Sequence, residues 1–178
     1  NTDTSSTLDK LGFKSEGTNL NLRYQNNSIL MDSLFGVRYN LSQQPVQKFG
    51  FKELATKNGV SLSENEYALP IAFLSAKTYK NASFTNLTLD NQTRFIHQIT
   101  DEKYKFYKKL NILSHTSQNT TSSLQTAKIE EDSHLSYASI QYEVMVPAHS
   151  QLYVNVPNLH FSNDDRKDIE ISYNGQTQ

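Results

Sequence analysis

The chain has 178 residues, 17 Lys+Arg against 18 Asp+Glu, and neither Cys nor Trp. That length fits one domain, or two small portions sharing a core, and can bury about 70% of the unfolded surface without a disulfide or metal staple. The missing Cys excludes a thiol nucleophile, Cys-ligated zinc and iron–sulfur sites, and a net charge of −1 argues against a nucleic-acid binder.

Mean hydropathy is −0.63, and no apolar run approaches the about 18–20 residues of a membrane span. Seventeen Asn, 20 Ser and 15 Thr stand beside 10 Tyr and 9 Phe. A polar, weakly charged, aromatic-rich surface of this kind suits an extracytoplasmic β-rich protein better than a cytosolic enzyme.

In chain order, Asn1–Leu11 is polar and expected to fray. Leu20–Tyr24 alternates apolar and polar residues and predicts a strand, followed by a turn at Gln25–Ser28. Ile29–Phe35 is a short apolar stretch containing Asp32, ended by Gly36. Val37, Tyr39 and Leu41 alternate with Arg38 and Asn40, a second strand closed by Ser42–Pro45. Phe49–Val60 fits no single element, but Asn58–Gly59 marks a turn before another short strand. Tyr67–Leu74 is the densest apolar run. Pro70 lacks a ladder donor, so this reads as an edge strand or a strand entered through a bend. Asp90 is placed to cap a helix starting at Asn91, with Phe95, Ile96 and Ile99 on one face. Asp101–Leu110 fits helix or strand. Ser114–Ser123, poor in apolar residues, reads as a linker or exposed loop.

Beyond it the period becomes two. Ile140–Val146, Leu152–Val156 and Ile169–Tyr173 predict three amphipathic strands, half of an antiparallel sandwich. Asn174–Gly175 is a strong type I′ hairpin signal. Since only Gln176–Gln178 follow, the expectation is that the fold continues past this stretch and that a longer chain is more stable. The fold class is α+β: a mixed α/β portion over 1–123, then an antiparallel β-sandwich portion, jelly-roll-like, over 124–178.

Few constellations carry chemistry. Six Asn-x-Ser/Thr sequons occur, at Asn26, Asn40, Asn81, Asn86, Asn91 and Asn119. About three are expected by chance at this composition, so glycosylation is not the favoured reading. The five His are scattered, without the i, i+4 spacing of a helical metal site. There is neither a nucleophile elbow nor a Gly-rich phosphate loop. Glu130–Asp132 and Asp164–Asp165 read as solvated loops rather than paired glycosidase carboxylates. Asn163–Asp165 lacks the alternating oxygens of a calcium loop. Lys103–Lys109 is a basic–aromatic cluster. Its plain reading is an amphipathic element with solvated lysines; its sharper reading is contact with anionic headgroups or a polyanionic glycan.

Two stretches go beyond pattern. Met31-Asp-Ser-Leu-Phe-Gly-Val-Arg-Tyr-Asn-Leu41 resembles the "DSLLGVKY" signature of the YfhO family of bacterial membrane proteins, with Arg38 in place of the usual Lys. Glu64-Asn-Glu-Tyr-Ala-Leu-Pro-Ile-Ala-Phe73 is similar to that family's "ENxxALPxAF" segment. Asn81–Phe84, Asn86 and Asn91–Gln92 are similar to its "NPFxNQN" stretch, with Ala82–Ser83 where Pro is usual. Ile140–Val156 and Ile169–Gly175 resemble its β-rich segment. The motif residues are Asp32, Leu34, Gly36, Val37, Arg38, Tyr39, Asn65, Ala68, Leu69, Pro70 and Phe73.

The resemblance implies a large polytopic protein of Gram-positive bacteria, similar to glycosyltransferases of the C superfamily. These are implicated in transferring sugars from a polyprenyl phosphate to lipoteichoic acid or related wall polymers. This chain would be the extracytoplasmic domain, on the outer face of the cytoplasmic membrane. Membrane attachment would come through transmembrane helices of the parent protein. The family's catalytic carboxylate lies near its first membrane helices, so this part is expected to engage acceptor or glycan rather than catalyse. No cofactor, metal or nucleic acid is expected. The alternatives are a non-enzymatic carbohydrate-binding or adhesin-type module and a purely structural ectodomain.

The motif residues also have physical readings. Gly36 permits a tight helix-to-strand turn. Val37, Tyr39 and Leu41 are expected on a buried strand face, with Leu69, Ile71 and Phe73 beside it. Asp32 and Arg38 suggest a salt bridge or turn cap. Tyr39, Asn65 and Tyr67 offer aromatic faces and an amide for a sugar-binding groove, against a plain role in holding the fold.

Overall fold

The computed structural model describes residues 2–16, 21–23, 27–121, 130–131, 139–156, 172–173 and 176–177. Three helices supply the core. They are α1 (Thr2–Lys10), α2 (Ile29–Leu34) and α3 (Thr88–Thr100). Leu11, Phe13, Met31, Phe95, Ile96 and Ile99 are buried together, with Leu8, Leu30, Leu34, Ala82 and Phe84 packed around them.

The expectation of a frayed N-terminus is overturned. α1 forms because Leu8, Leu11 and Phe13 anchor it on the core, and Leu11 has no exposed surface. A nine-residue polar helix has little stability of its own; tertiary burial supplies it. Its terminal carbonyls are also satisfied from α3. Asn91 Nδ2 donates to Lys10 O (3.0 Å) and Gln92 Nε2 to Leu11 O (2.9 Å). Such groups have no partner within a helix and need one from outside it.

α3 starts three residues before the expected Asn91, and Leu87 at its N-cap makes no side-chain bond. Asn91 instead works from inside the helix. Its Oδ1 accepts from Thr85 N–H (2.8 Å) and its Nδ2 also donates to Thr85 O (2.8 Å), fastening the turn before α3. Because Asn91 is fully buried, that sequon offers no acceptor for a glycan. Phe95, Ile96 and Ile99 form the buried face the periodicity predicts.

The helix α2 has only six residues and depends on its ends. Ser28 Oγ accepts from Met31 N–H (3.3 Å) at the N-cap. At the other end Gly36 N–H bonds Ser33 O (3.2 Å) and Val37 N–H bonds Asp32 O (2.8 Å). That is a Schellman closure, which needs a left-handed residue at Gly36, here at φ +68°.

Strands β1 (Lys14–Glu16) and β2 (Asn21–Arg23) pair antiparallel, in agreement with the strand expected over 20–24. β3 (Tyr39–Ser42), β4 (Phe51–Lys57) and β5 (Val60–Asn65) form a three-stranded antiparallel sheet in the order β3-β5-β4. The Asn58–Gly59 turn joins β4 to β5 as expected. The burial of β3 differs from expectation. Tyr39 is 56% and Leu41 71% exposed. Register explains it: Asn40 pairs with Ser63 and Ser42 with Ser61, and the buried face of β5 is Ser61, Ser63 and Asn65. Tyr39 and Leu41 fall on the opposite face.

Residues 67–74 join no ladder. The expected packing of Ile71 beside β3 is also absent, since Ile71 and Leu74 are fully exposed. Residues 101–110 form neither helix nor strand.

Residues expected as a linker instead form β6 (Ile112–Gln118), with β7 (Thr120–Thr121) pairing β8 (Glu130–Glu131). β6 pairs with β9 (Ser139–Val144). Two-stranded ribbons exposed on both sides need no apolar alternation, so the sequence carried no signal for β6. This ladder joins the two sides of the expected boundary at 123/124.

Of the predicted sandwich strands, β9 forms, and 151–156 lies in no sheet. β10 (Ser172–Tyr173) pairs antiparallel with β11 (Gln176–Thr177), and the turn expected at Asn174–Gly175 lies outside the described residues. Residues 168–171 of the third strand lie outside the described residues. The fold is thus mixed helix and antiparallel sheet, and the described residues give no jelly-roll sandwich.

Gly36→Ala is expected to lower unfolding stability by about 1–2 kcal/mol, through left-handed strain at the α2 closure. Urea denaturation at unchanged m-value checks it.

Candidate functional site

The two motif segments are sewn to each other. Asn65 N–H donates to Arg38 O (2.7 Å) and Leu69 N–H to Ser33 O (2.9 Å). Asn65 Nδ2 donates to Val37 O (3.0 Å) and, more weakly, to Ser33 Oγ (3.4 Å). Its Oδ1 accepts from Tyr67 N–H (3.0 Å). Asn65 is 1% exposed, so its amide is occupied by the chain itself. A methyl at Gly36 would also lie 3.3 Å from Leu69 O, a second reason for Gly there.

The remaining motif residues fall into place around this seam. Arg38 and Pro70 are exposed, while Val37 and Ala68 are half-buried. Leu34, Leu69 and Phe73 line an apolar groove beside α3. Tyr39 lies on the opposite sheet face from Asn65, so the structure does not bring Tyr39, Asn65 and Tyr67 into one groove.

Asp32 forms its ion pair with Lys48, not Arg38. Lys48 Nζ lies 2.5 Å from Asp32 Oδ2, with 6% and 0% of the two side chains exposed. The ammonium also donates to Asn27 O (2.5 Å) and sits 5.3 Å from the Phe51 ring centre. A charge this far from water is tolerated only with a partner and further hydrogen bonds. Both the Met31–Leu41 stretch and the segment before β4 are therefore tied to one buried pair.

A neutral polar network borders it. Gln92, 1% exposed, uses its whole amide. Oε1 accepts from Ser28 Oγ (2.7 Å) and Tyr107 OH (2.5 Å). Nε2 donates to Leu11 O and to Asn27 Oδ1 (3.0 Å). Tyr153 OH accepts from Ile29 N–H (3.4 Å), and its ring meets Tyr107 edge-on at 5.5 Å. Burial pushes the Tyr107 phenol up to about 12, with the nearby Tyr153 and Asp32 adding to the rise and a Ser28 hydrogen bond opposing it. The Tyr153 phenol is raised for the same main reason, burial, again with Asp32 contributing. At neutral pH the centre holds one ion pair and two uncharged phenols.

Above this centre in the chain stands an aromatic platform. Phe49 follows Lys48 directly and stacks on Tyr67, with ring centres 5.7 Å apart and planes 15° apart. Both rings remain more than half exposed, at 59% and 52%. Gly50 makes this possible: a Cβ there would lie 2.6 Å from the Tyr67 ring. Phe49 N–H donates to Gln151 Oε1 (3.2 Å), and Glu66 N–H to Gly50 O (3.0 Å).

Sequence reading missed Lys48, Phe49, Tyr107 and Tyr153, and named Gln92 only within the family-like stretch at 81–92. Lys48 is 16 residues from Asp32 in a stretch without periodicity, and Tyr107 hides within the basic–aromatic cluster. Among the described residues no group of three or more His, Cys, Asp or Glu is gathered to hold a metal. Asp132, Asp164 and Asp165 lie outside the described residues.

Lys48→Met should cost about 3–5 kcal/mol by stranding the buried Asp32 carboxylate. Adding Asp32→Asn should recover part of that loss in chemical denaturation. The raised Tyr107 phenol adds stability that is complete below about pH 10 and lost as pH climbs toward 12. Tyr107→Phe should therefore remove the latest phenolate absorbance in an alkaline titration and flatten the alkaline fall in melting temperature.

A family model described as "Bacterial membrane protein YfhO" matches residues 1–178. No curated protein and no solved structure matches the chain. No helix among the described residues is long and apolar enough to cross a membrane. With the match covering every residue and both motif segments, the chain belongs to the YfhO family of bacterial membrane proteins.

Proposed function

We propose that this chain is the extracytoplasmic, non-catalytic part of a polytopic glycosyltransferase that decorates lipoteichoic acid or a related wall polymer. It lies on the outer face of the cytoplasmic membrane of a Gram-positive bacterium. The parent's membrane helices carry the donor, a polyprenyl-phosphate sugar, to the catalytic carboxylate, while this part engages the acceptor glycan.

The supporting observation is the exposed Phe49–Tyr67 stack, built on the seam between the family motifs. Sugar rings present flat C–H faces, and aromatic rings held rigidly in water offer matching apolar area at small entropic cost. Tyr39 is also exposed, on β3 and outside this stack. Asn65 contributes through position: its Oδ1 fixes the backbone of Tyr67.

Titration of the 178-residue chain with lipoteichoic acid or purified wall glycan tests the reading. Tyr67→Ala and Phe49→Ala should each weaken binding about tenfold, near 1.4 kcal/mol, at unchanged melting temperature. Gly50→Ala should also weaken binding by displacing the Tyr67 ring, here with a lower melting temperature, because Gly50 sits at φ +82°. Undetectable binding, or equal affinity in Tyr67→Ala, would remove the glycan role.

A further inference from the structure

We infer that a second face, formed by Leu69–Leu74 with Lys103–Lys109, rests on an anionic phospholipid bilayer. Four observations carry it, none of which involves the glycan platform.

An apolar groove of about 650 Å³ lies between the end of α2, the 69–76 segment, α3 and residues 104–106. Leu34, Leu69, Phe73, Ile99, Tyr104 and Phe106 line it. Ile71 and Leu74 go further: their exposures of 102% and 101% match side chains with nothing packed against them. Apolar residues concentrated this way mark a contact surface rather than ordinary surface scatter.

The segment is also held. Leu69 N–H bonds Ser33 O (2.9 Å) at one end, and Ala76 N–H bonds Ile99 O (2.8 Å) at the other. Pro70 keeps the intervening backbone out of any ladder. The result is a short apolar projection pinned at both ends to helices.

Charge identifies the occupant. Lys103, Lys105, Lys108 and Lys109 are all exposed along the wall that supplies Tyr104 and Phe106. Of the acids in that segment, Asp101 is paired with Lys77 at 2.5 Å, which leaves Glu102. Protruding Ile and Leu, interfacial Tyr and flanking Lys are what a headgroup region accepts. Aliphatic tips enter the acyl boundary, phenols stay at its edge, and ammonium groups meet phosphates. A protein partner would need a concave apolar pocket ringed by acids to match the same set. A bilayer supplies both requirements at once, and the chain belongs to a family of membrane proteins.

Co-sedimentation of the full 178-residue chain with vesicles tests this. Binding is expected to vesicles of phosphatidylcholine with added phosphatidylglycerol, to weaken with salt, and to be far weaker on phosphatidylcholine alone. Replacing Lys103, Lys105, Lys108 and Lys109 by Gln should reduce binding about fivefold per lysine. The double variant Ile71→Ser/Leu74→Ser should lose vesicle binding while keeping its melting temperature, because neither side chain packs against the fold. Its glycan affinity should stay unchanged, whereas Tyr67→Ala should leave vesicle binding intact. No binding to phosphatidylglycerol vesicles at low salt would overturn the inference. So would full binding by the serine variant, or a dimer of the parent chain that this variant abolishes, which would assign the face to a second copy.

Discussion

The buried Asp32–Lys48 pair is the constraint on which most of this structure turns. Asp32 lies in a helix too short to persist alone, and its carboxylate has no exposed surface. Removing that carboxylate from water is costly, and the cost is offset only if Lys48 arrives from a separate segment with its own second bond to Asn27 O. Placing Lys48 places Phe49 and Gly50 next to it, directly before β4. One electrostatic requirement thus fixes α2, the entry to the sheet and the aromatic platform together. Such a pair need not add net stability. What it does is make other arrangements of these segments expensive, because each would strand a charge.

The family motifs make sense in the same physical terms. Gly36 closes α2 and lets Leu69 O approach, while Asn65 satisfies Val37 O and the Tyr67 amide from a buried position. Ser33 O receives Leu69 N–H. These residues satisfy backbone groups just beyond the end of the β3–β5 ladder, whose last pair is Tyr39–Glu64. Buried carbonyls and amides outside regular structure must find side-chain partners. The role of Asn65 is therefore legible as accounting for hydrogen bonds before any ligand is considered.

How much of this could be read in the sequence follows from range. Local signals survived: the alternation at 39–42, the turn at Asn58–Gly59, and the buried stripe of Phe95, Ile96 and Ile99. Each is decided by neighbours a few residues away. Features decided across the chain did not survive. α1 reads as a polar tail until Leu11 meets α3, and β6 reads as a linker until β9 pairs with it. The burial of β3 was inverted because the buried face of its partner is serine and asparagine, a composition that hydropathy assigns to the surface. Lys48 and Gln92 look like solvated polar residues for the same reason. A polar network that satisfies itself internally leaves no hydrophobic trace.

The two proposed contact faces share one support. Ser33 and Leu34 of α2 sit between them: Ser33 O holds the start of the apolar projection, and Leu34 lines its groove. The same helix carries Asp32, whose partner precedes Phe49 of the platform. A polymer stacked on Phe49–Tyr67 would accordingly stand at a set distance from whatever Ile71 and Leu74 enter. In the proposed reading, where the donor sugar arrives from within a bilayer, that distance matters more than affinity. A rigid offset between glycan and lipid surface removes the search over height that a tethered, flexible acceptor would otherwise make. In that reading, the stiffness of the polar centre is what such a part contributes.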